Sequence, residues 1–280
     1  VNPGSAPRRL AVADRDLYVL DAGASVVTRH RLNEVGDGLE RGQEIAEVVR
    51  KGQQIGAVVV GNLIDLLWMP ADGDWKRDGL LILDASGHLI VYTKAAGLSA
   101  MTLGGSLKSP LVMGSYSGAR LYILDPGSAQ VFRYTPTAGG YTDAPDGYFA
   151  AGTSVDLLAA RDMAIDGDIW LLYTDKVERY QKGLPVAFQI KDLDRPFSSP
   201  AGIFTAPDES ANAVRNLYIS DTGNGRIIKI AKDGRFVRQF RPPEGRQFTE
   251  IHDLYVDEAH GRLYFVAGSS LYLADVPQGE

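Results

Sequence analysis

The chain of 280 residues has no cysteine, so it forms no disulfide and offers no thiolate to a metal. This suits a reducing compartment and, equally, an extracytoplasmic protein that is stable without bridges. Histidine is almost as scarce. His30, His88, His252 and His260 are scattered, and no HExxH or paired-His spacing occurs, which argues against zinc. No apolar run approaches the ~18 residues that mark a membrane-spanning helix. The sequence also lacks G-x-S-x-G, GxxxxGK[ST] and a GxGxxG that opens a helical pattern. These absences argue against a serine nucleophile on a strained turn, a phosphate-cradling loop and a dinucleotide fingerprint. Basic excess is missing too: 29 Lys and Arg against 35 Asp and Glu leave a net charge of −6. That disfavours wholesale binding to nucleic acid or anionic membrane. The opening, VNPGSAPRRL, has neither an initiator Met nor the apolar core of a signal peptide. A fragment or processed product is the expectation, with a tether supplied by upstream sequence.

What the chain has is a repeated hairpin. In residues 216–230, NLYISDTGNGRIIKI, a β-type run ends in Asp221 and passes through Thr222-Gly223-Asn224-Gly225 into a second alternating run. Asp accepts hydrogen bonds from turn amides, and Gly and Asn tolerate positive φ in tight reversals. Related cores begin at Leu17, Leu80, Leu121, Ile169, Leu217 and Leu263. Six copies at steps of roughly 40–60 residues point to units that cannot bury their faces alone. Each core has a short apolar strand before it and a further strand after it. In the fourth copy the strands are read as 163–165, 169–173, 176–180 and 186–190. In the fifth they are 201–204, 217–220, 226–230 and 235–240. Four antiparallel strands per unit predict a single all-β domain over 1–280, a six-bladed β-propeller of four-stranded antiparallel blades. A two-sheet sandwich does not explain six like-ordered copies. Blade 1 is irregular, with an outer strand at 44–50 and one added strand near 55–60. Blade 6 has no obvious fourth strand after 271–274; residues 1–8 are candidates to supply it, against the two prolines Pro3 and Pro7.

The motif YISDTGNGRIIKI, followed by Asp233-Gly234-Arg235, resembles an NHL repeat. The resemblance implies that Asp221 and Arg226 brace the hairpin by hydrogen bonding. Blades 1 and 3 keep Asp21 and Asp125 but put Ser25 and Gln130 near the Arg position, and Tyr173 and Ala267 replace the Asp in blades 4 and 6. The chain as a whole is similar to C-terminal propellers of bacterial membrane signalling proteins. That likeness implies an extracytoplasmic sensor or scaffold domain engaged in protein–protein interaction.

In such a fold the first strand of each blade lines a central channel. Aligning those strands brings Arg9, Asp65, Pro110, Asp162, Ala201 and Asp253 to equivalent positions, with Arg8, Asn62, Lys108, Arg161 and His252 beside them. Three carboxylates, Asp65, Asp162 and Asp253, could hold Ca2+, which takes six to eight oxygen ligands. Related lactonase and esterase propellers imply a channel metal that polarises an ester and activates water. The structural alternative is a charge-paired set in which the carboxylates meet Arg8, Arg9, Arg161 and Lys108, with no cofactor. His252-Asp253 is the one pairing suited to acid–base work.

Other signals carry less. Asp72-Gly73-Asp74 with Asp78-Gly79 is similar to a calcium loop but misses the EF-hand register, so a polar turn is expected. Asp166-Gly167-Asp168 reads as a hairpin turn. The loop 135–156 carries Tyr141, Tyr148 and Phe149 and is either a binding surface or part of the outer strand of blade 3. Trp68 and Trp170 read as core, and Trp75 as an exposed aromatic. The favoured function is a non-catalytic module that binds a protein, peptide or small ligand at Arg9, Asp65, Lys108, Arg161, Asp162, His252 and Asp253. A calcium-dependent lactonase or esterase is the rival. RNA binding, which needs a basic aromatic face, is a third reading.

Overall fold

The structure is a computed structural model that describes residues 6–207, 213–242, 248 and 250–276. They form two compact units, Asn2–Leu158 and Ala159–Glu280. The first unit holds three four-stranded antiparallel sheets. Blade 1 is Pro7–Ala13, Asp16–Asp21, Val26–Arg31 and Ala46–Arg50; blade 2 is Leu63–Met69, Gly79–Asp84, Leu89–Thr93 and Gly97–Met101. Blade 3 is Val112–Tyr116, Arg120–Asp125, Gln130–Tyr134 and Asp146–Gly147.

The second unit continues the pattern. Blade 4 is Asp162–Ile165, Ile169–Leu172, Val177–Gln181 and Leu184–Val186; blade 5 is Pro200–Ala206, Val214–Asp221, Arg226–Ala231 and Phe236–Phe240. Blade 6 shows three strands among the described residues, Ile251–Asp257, Arg262–Ala267 and Ser270–Asp275. The fold is a six-bladed β-propeller, and every repeated core is the second strand of its blade. Residues 1–5, part of the segment considered for completing blade 6, lie outside the described residues.

Side chains on a strand alternate between faces, so a strand covered on both sides must be apolar at every position. Blade 2 shows this directly. Leu80 and Ile82 pack with Tyr18, Leu20 and Val27 of blade 1, whereas Leu81 and Leu83 pack with Met113, Leu121 and Ile123 of blade 3. Blade 5 does the same in the second unit. Leu217 and Ile219 join Trp170 and Leu172 of blade 4, and Tyr218 and Ile227 join Leu254, Leu263 and Phe265 of blade 6. Each such Leu or Ile contributes about 1.5–3 kcal/mol by leaving water. The continuous LLIL and LYIL runs are therefore what blade-on-blade packing requires.

A second regularity is ionic. An aromatic on the second strand faces a cation on the third in four blades: Tyr18 opposite Arg29, Tyr122 opposite Arg133, Trp170 opposite Arg179 and Tyr218 opposite Lys229. Arg179 lies 5.1 Å from the Trp170 ring centre and Lys229 5.5 Å from that of Tyr218. Carboxylates in, or at the end of, the connections between first and second strands then tie neighbouring blades. Asp16 pairs with Lys94 at 2.6 Å, Asp72 accepts the Gly118 amide at 2.5 Å, and Asp166 pairs with Lys232 at 2.7 Å. Glu258 of blade 6 accepts from Tyr218 Oη at 2.6 Å, Asn216 Nδ2 at 3.0 Å and the Arg215 amide at 3.1 Å, and pairs with Lys229 at 3.0 Å.

Three expectations change. The fourth strand of blade 4 is Leu184–Val186 rather than 186–190, because Lys182 and Gly183 both take positive φ and close a two-residue reversal. The added segment of blade 1 is a separate small hairpin, Gln54–Ile55 with Val58–Val59, not one strand. Trp75 is buried, not exposed: the Asp72–Trp75 hairpin turns it inward, where it stacks on Tyr141 at 5.4 Å. Tyr141 is itself fully buried and donates to the Ala119 carbonyl at 2.6 Å, so it offers nothing to a ligand. Tyr148 and Phe149 are half-buried and follow the outer strand of blade 3. Asp166-Gly167-Asp168 is a hairpin turn, as read, and Asp72-Gly73-Asp74 lies in the polar connection between the first two strands of blade 2, where it forms a tight turn of its own.

Burial by itself would raise the Glu258 carboxyl, but hydrogen bonds from Tyr218 and Lys229, with Arg215 and Asn216, outweigh it and hold the group below the usual carboxylate range. Asp16 is lowered in the same way, burial being outweighed by Lys94 and Arg31. Both carboxyls are less easily protonated in the folded state than in the unfolded one. Their stabilisation is thus present above the ordinary carboxylate pKa and is lost as pH falls through the depressed folded values. Thermal melts from pH 7 to pH 3 should show a falling Tm. Glu258→Gln should lose about 2 kcal/mol at pH 7 and show a shallower acid limb. An acid limb as steep as that of the parent would remove Glu258 from this role.

Candidate functional site

The turn of the YISDTGNGRIIKI motif is built from Asp221. Its Oδ1 accepts the Ser198 amide at 2.6 Å, and its Oδ2 accepts from Asn224 Nδ2 and Arg226 Nε, both at 2.7 Å. Arg226 is fully buried. Its remaining donors reach Asp194, Gln239 Oε1 at 3.2 Å, and the carbonyls of Arg195 and Pro196 at 2.8 and 3.4 Å. The guanidinium therefore fastens the segment entering blade 5 to its central hairpin. A short 3-10 turn, Thr222–Asn224, ends in Gly225 at φ 59°, the left-handed conformation that glycine adopts without strain.

The same carboxylate position works in three other blades. Asp125 accepts the Lys108 and Ser109 amides at 2.8 and 2.7 Å, and Asp84 accepts the Gly61 amide at 2.8 Å. Asp21 accepts the Ala6 amide at 3.0 Å. In each case the second strand's terminal carboxylate captures the chain as it enters the first strand. The pairing register corrects one alignment: Val26, not Ser25, stands where Arg226 does, opposite Asp21. Ser25 instead takes the left-handed position at φ 49°, and its Oγ accepts the Leu63 amide of blade 2 at 2.9 Å. Blades 4 and 6 need no such carboxylate. Tyr173 meets Lys176 through its amide, and Ala267 pairs with Ser270, so each closes a two-residue reversal in place of the longer loop.

At the start of the first strands, register assigns equivalence directly. Arg9, Asp65, Val112, Asp162, Gly202 and Asp253 each pair with the residue just before the terminal carboxylate of the second strand or its counterpart, Tyr173 in blade 4 and Ala267 in blade 6. Val112 and Gly202 thus replace the expected Pro110 and Ala201. A bulge between Pro200 and Gly202 inserts Ala201, and Lys108 and Ser109 are held outside the sheet by Asp125. His252 is the bulged residue of blade 6.

These side chains do different things. Asp65 is buried; its Oδ2 accepts the Met113 amide of blade 3 at 2.5 Å, and its Oδ1 lies 3.4 Å from Arg9 Nε of blade 1. Asp162 is buried, and its Oδ2 accepts the Ile203 amide of blade 5 at 2.9 Å. Asp253 is half-buried and accepts the Leu254 amide at 2.9 Å. Arg161 is exposed and donates to Thr174 Oγ1 at 3.2 Å; Arg8, Asn62 and Lys108 are exposed, and His252 is half-buried. Arg9, Asp65 and Lys108 belong to the first unit, and Arg161, Asp162, His252 and Asp253 to the second. Among the described residues, no three His, Asp or Glu side chains are placed to share a metal ion. Sequence reasoning found the carboxylates but missed their partners, because a backbone amide has no signature in the residue code.

No protein-family model matches the chain, and no curated protein matches it. Solved structures do. A virginiamycin B lyase from Staphylococcus aureus superposes with a TM-score of 0.56 at 12% identity, over 99% of this chain and 87% of its own. A gluconolactonase from Xanthomonas campestris gives a TM-score of 0.61 at 14% identity, over 98% and 86%. The structure of a nidogen/laminin complex gives 0.55 at 14% identity, over 86% and 81%. At such identities the likeness establishes the fold, and enzymes and a protein-binding propeller both share it.

Removing the planar fork from Arg226 tests the turn. Arg226→Lys should cost about 3–5 kcal/mol in urea unfolding, since one ammonium cannot serve Asp221 and the Arg195 carbonyl together. A loss under about 1 kcal/mol would mean that the entering segment is held by other contacts.

Proposed function

We propose that the chain is a non-catalytic recognition module, an NHL-type propeller domain spanning residues 1–280. It serves as a sensor or scaffold within a larger bacterial protein and binds a protein, peptide or small ligand. Matches that run along 98–99% of the chain support treating it as one domain. The observation that carries the functional reading is the occupation of the two buried carboxylates. Asp65 and Asp162 accept the amides of Met113 and Ile203. A carboxylate engaged with backbone in this way is a brace, and freeing it would unseat the next blade's first strand. Lys108 in the first unit and Arg161 in the second are exposed, and each is offered to a ligand by its own unit. The propeller seen in the nidogen/laminin complex supports a protein partner as one form of this function.

The competing reading is a calcium-dependent lactonase or esterase at Asp65, Asp162 and Asp253, supported by the fold shared with a gluconolactonase. One oxygen of each already accepts a backbone amide, and Asp65 also faces Arg9, which supports the brace over the metal. RNA binding through Arg8, Arg9, Lys108 and Arg161 has less support, given the net charge of −6.

Metal analysis of the purified protein, paired with melting curves in calcium and in EDTA, separates the first two readings. No stoichiometric calcium and no change in Tm between the two buffers is the expected result. Asp162→Ala should then lower Tm equally in both buffers, by the equivalent of about 2 kcal/mol for a lost buried hydrogen bond. Bound calcium at one equivalent, with EDTA-sensitive ester hydrolysis abolished in Asp162→Ala, would replace the recognition module with the hydrolase.

A further inference from the structure

The connection between the third and fourth strands of blade 3, residues 135–145, is docked on blade 2 and its exit segment. A hairpin turn from Thr137 to Gly140 forms its tip. Gly104 donates its amide to the Tyr141 carbonyl at 2.8 Å, and a Cβ at Gly104 would stand 1.9 Å from the Asp143 carbonyl oxygen. Only glycine permits that approach. Tyr141, at the centre of the connection, is sealed between Trp75 and Tyr134.

The remaining attachment is a thioether. Gly140 adopts φ 105°, and a Cβ there would lie 2.5 Å from Met101 Sδ and 2.7 Å from its Cε. The sulfur thus sits against a bare backbone with no room for one more heavy atom on that side. Met101 also packs on the cluster that contains Trp75, Tyr134 and Tyr141. It differs from the other methionines in access to solvent. Met69, Met113 and Met163 are 1%, 5% and 4% exposed, whereas Met101, at the end of the outer strand of blade 2, is only half-buried. The chain has no cysteine to compete for an oxidant.

We propose that Met101 is an oxidation site for peroxides and that its oxidation undocks residues 135–145. One peroxide oxygen transfers to Sδ, forming the S–O bond as the O–O bond breaks. The sulfur loses two electrons, and the second oxygen leaves as water. The product turns an apolar thioether that packs on the Gly140 backbone and an aromatic cluster into a polar sulfoxide, which weakens that apolar contact. The inference is independent of the recognition reading.

The test treats the intact protein with graded hydrogen peroxide, maps each methionine by peptide mass spectrometry and follows hydrogen exchange of residues 135–147. Met101 should react about tenfold faster than the other three. Once it has reacted, exchange in 135–147 should rise about tenfold, with the second strands of blades 2 and 3 unchanged. Met101→Leu, close in volume, should keep that segment protected under peroxide, and Met101→Gln should expose it without any oxidant. Equal reaction of all four methionines would overturn the site. Complete oxidation of Met101 with exchange in 135–147 unaltered would overturn the undocking.

Discussion

A buried carboxylate that accepts backbone amides is the interaction on which this propeller depends. A blade's first strand begins with amide groups that no neighbouring strand pairs, and burying them unsatisfied would cost ~1–3 kcal/mol each. Asp21, Asp84, Asp125 and Asp221 meet that demand from the end of the adjacent strand. Asp84, Asp125 and Asp221 remain buried at little cost because each oxygen is answered by a donor. One residue type at one position therefore sets both the reversal and the entry of the blade.

The same chemistry recurs between blades. Asp65 and Asp162 reach forward to the Met113 and Ile203 amides near the start of the first strands. Asp72, Asp166 and Glu258 make the corresponding ties from the connections between first and second strands. Apolar packing holds blade against blade but is non-directional, and these charged contacts fix the register in which the faces meet. Part of the acidic balance of the chain goes to this use of Asp and Glu as backbone acceptors.

Blades 4 and 6 depart from the rule in an instructive way. Tyr173 and Ala267 stand where the others have Asp, and two-residue reversals close those hairpins. With a loop that short, strand pairing satisfies the turn's amides and the carboxylate has no task. The divergence of motif between copies therefore marks a change of turn length within a constant blade.

Residue order by itself determined the architecture: the recurrence of the second strands, their apolar character on both faces, and the hairpins at Asp221 and Asp166. These are local properties, set by side-chain alternation and turn chemistry, and they can be read without knowing what lies across the chain. The equivalence of Arg9, Asp65, Asp162 and Asp253 was legible for the same reason. Val112 and Gly202 were not, because a bulge at Ala201 and an entry segment held outside the sheet shift the register by hydrogen bonds the code does not display. Trp75 looked exposed beside its polar turn, and only the approach of Tyr141 from blade 3 makes it core. What the carboxylates do was likewise a tertiary decision. Their partners are backbone amides distant in the chain, a donor that every residue but proline carries and that no sequence pattern singles out.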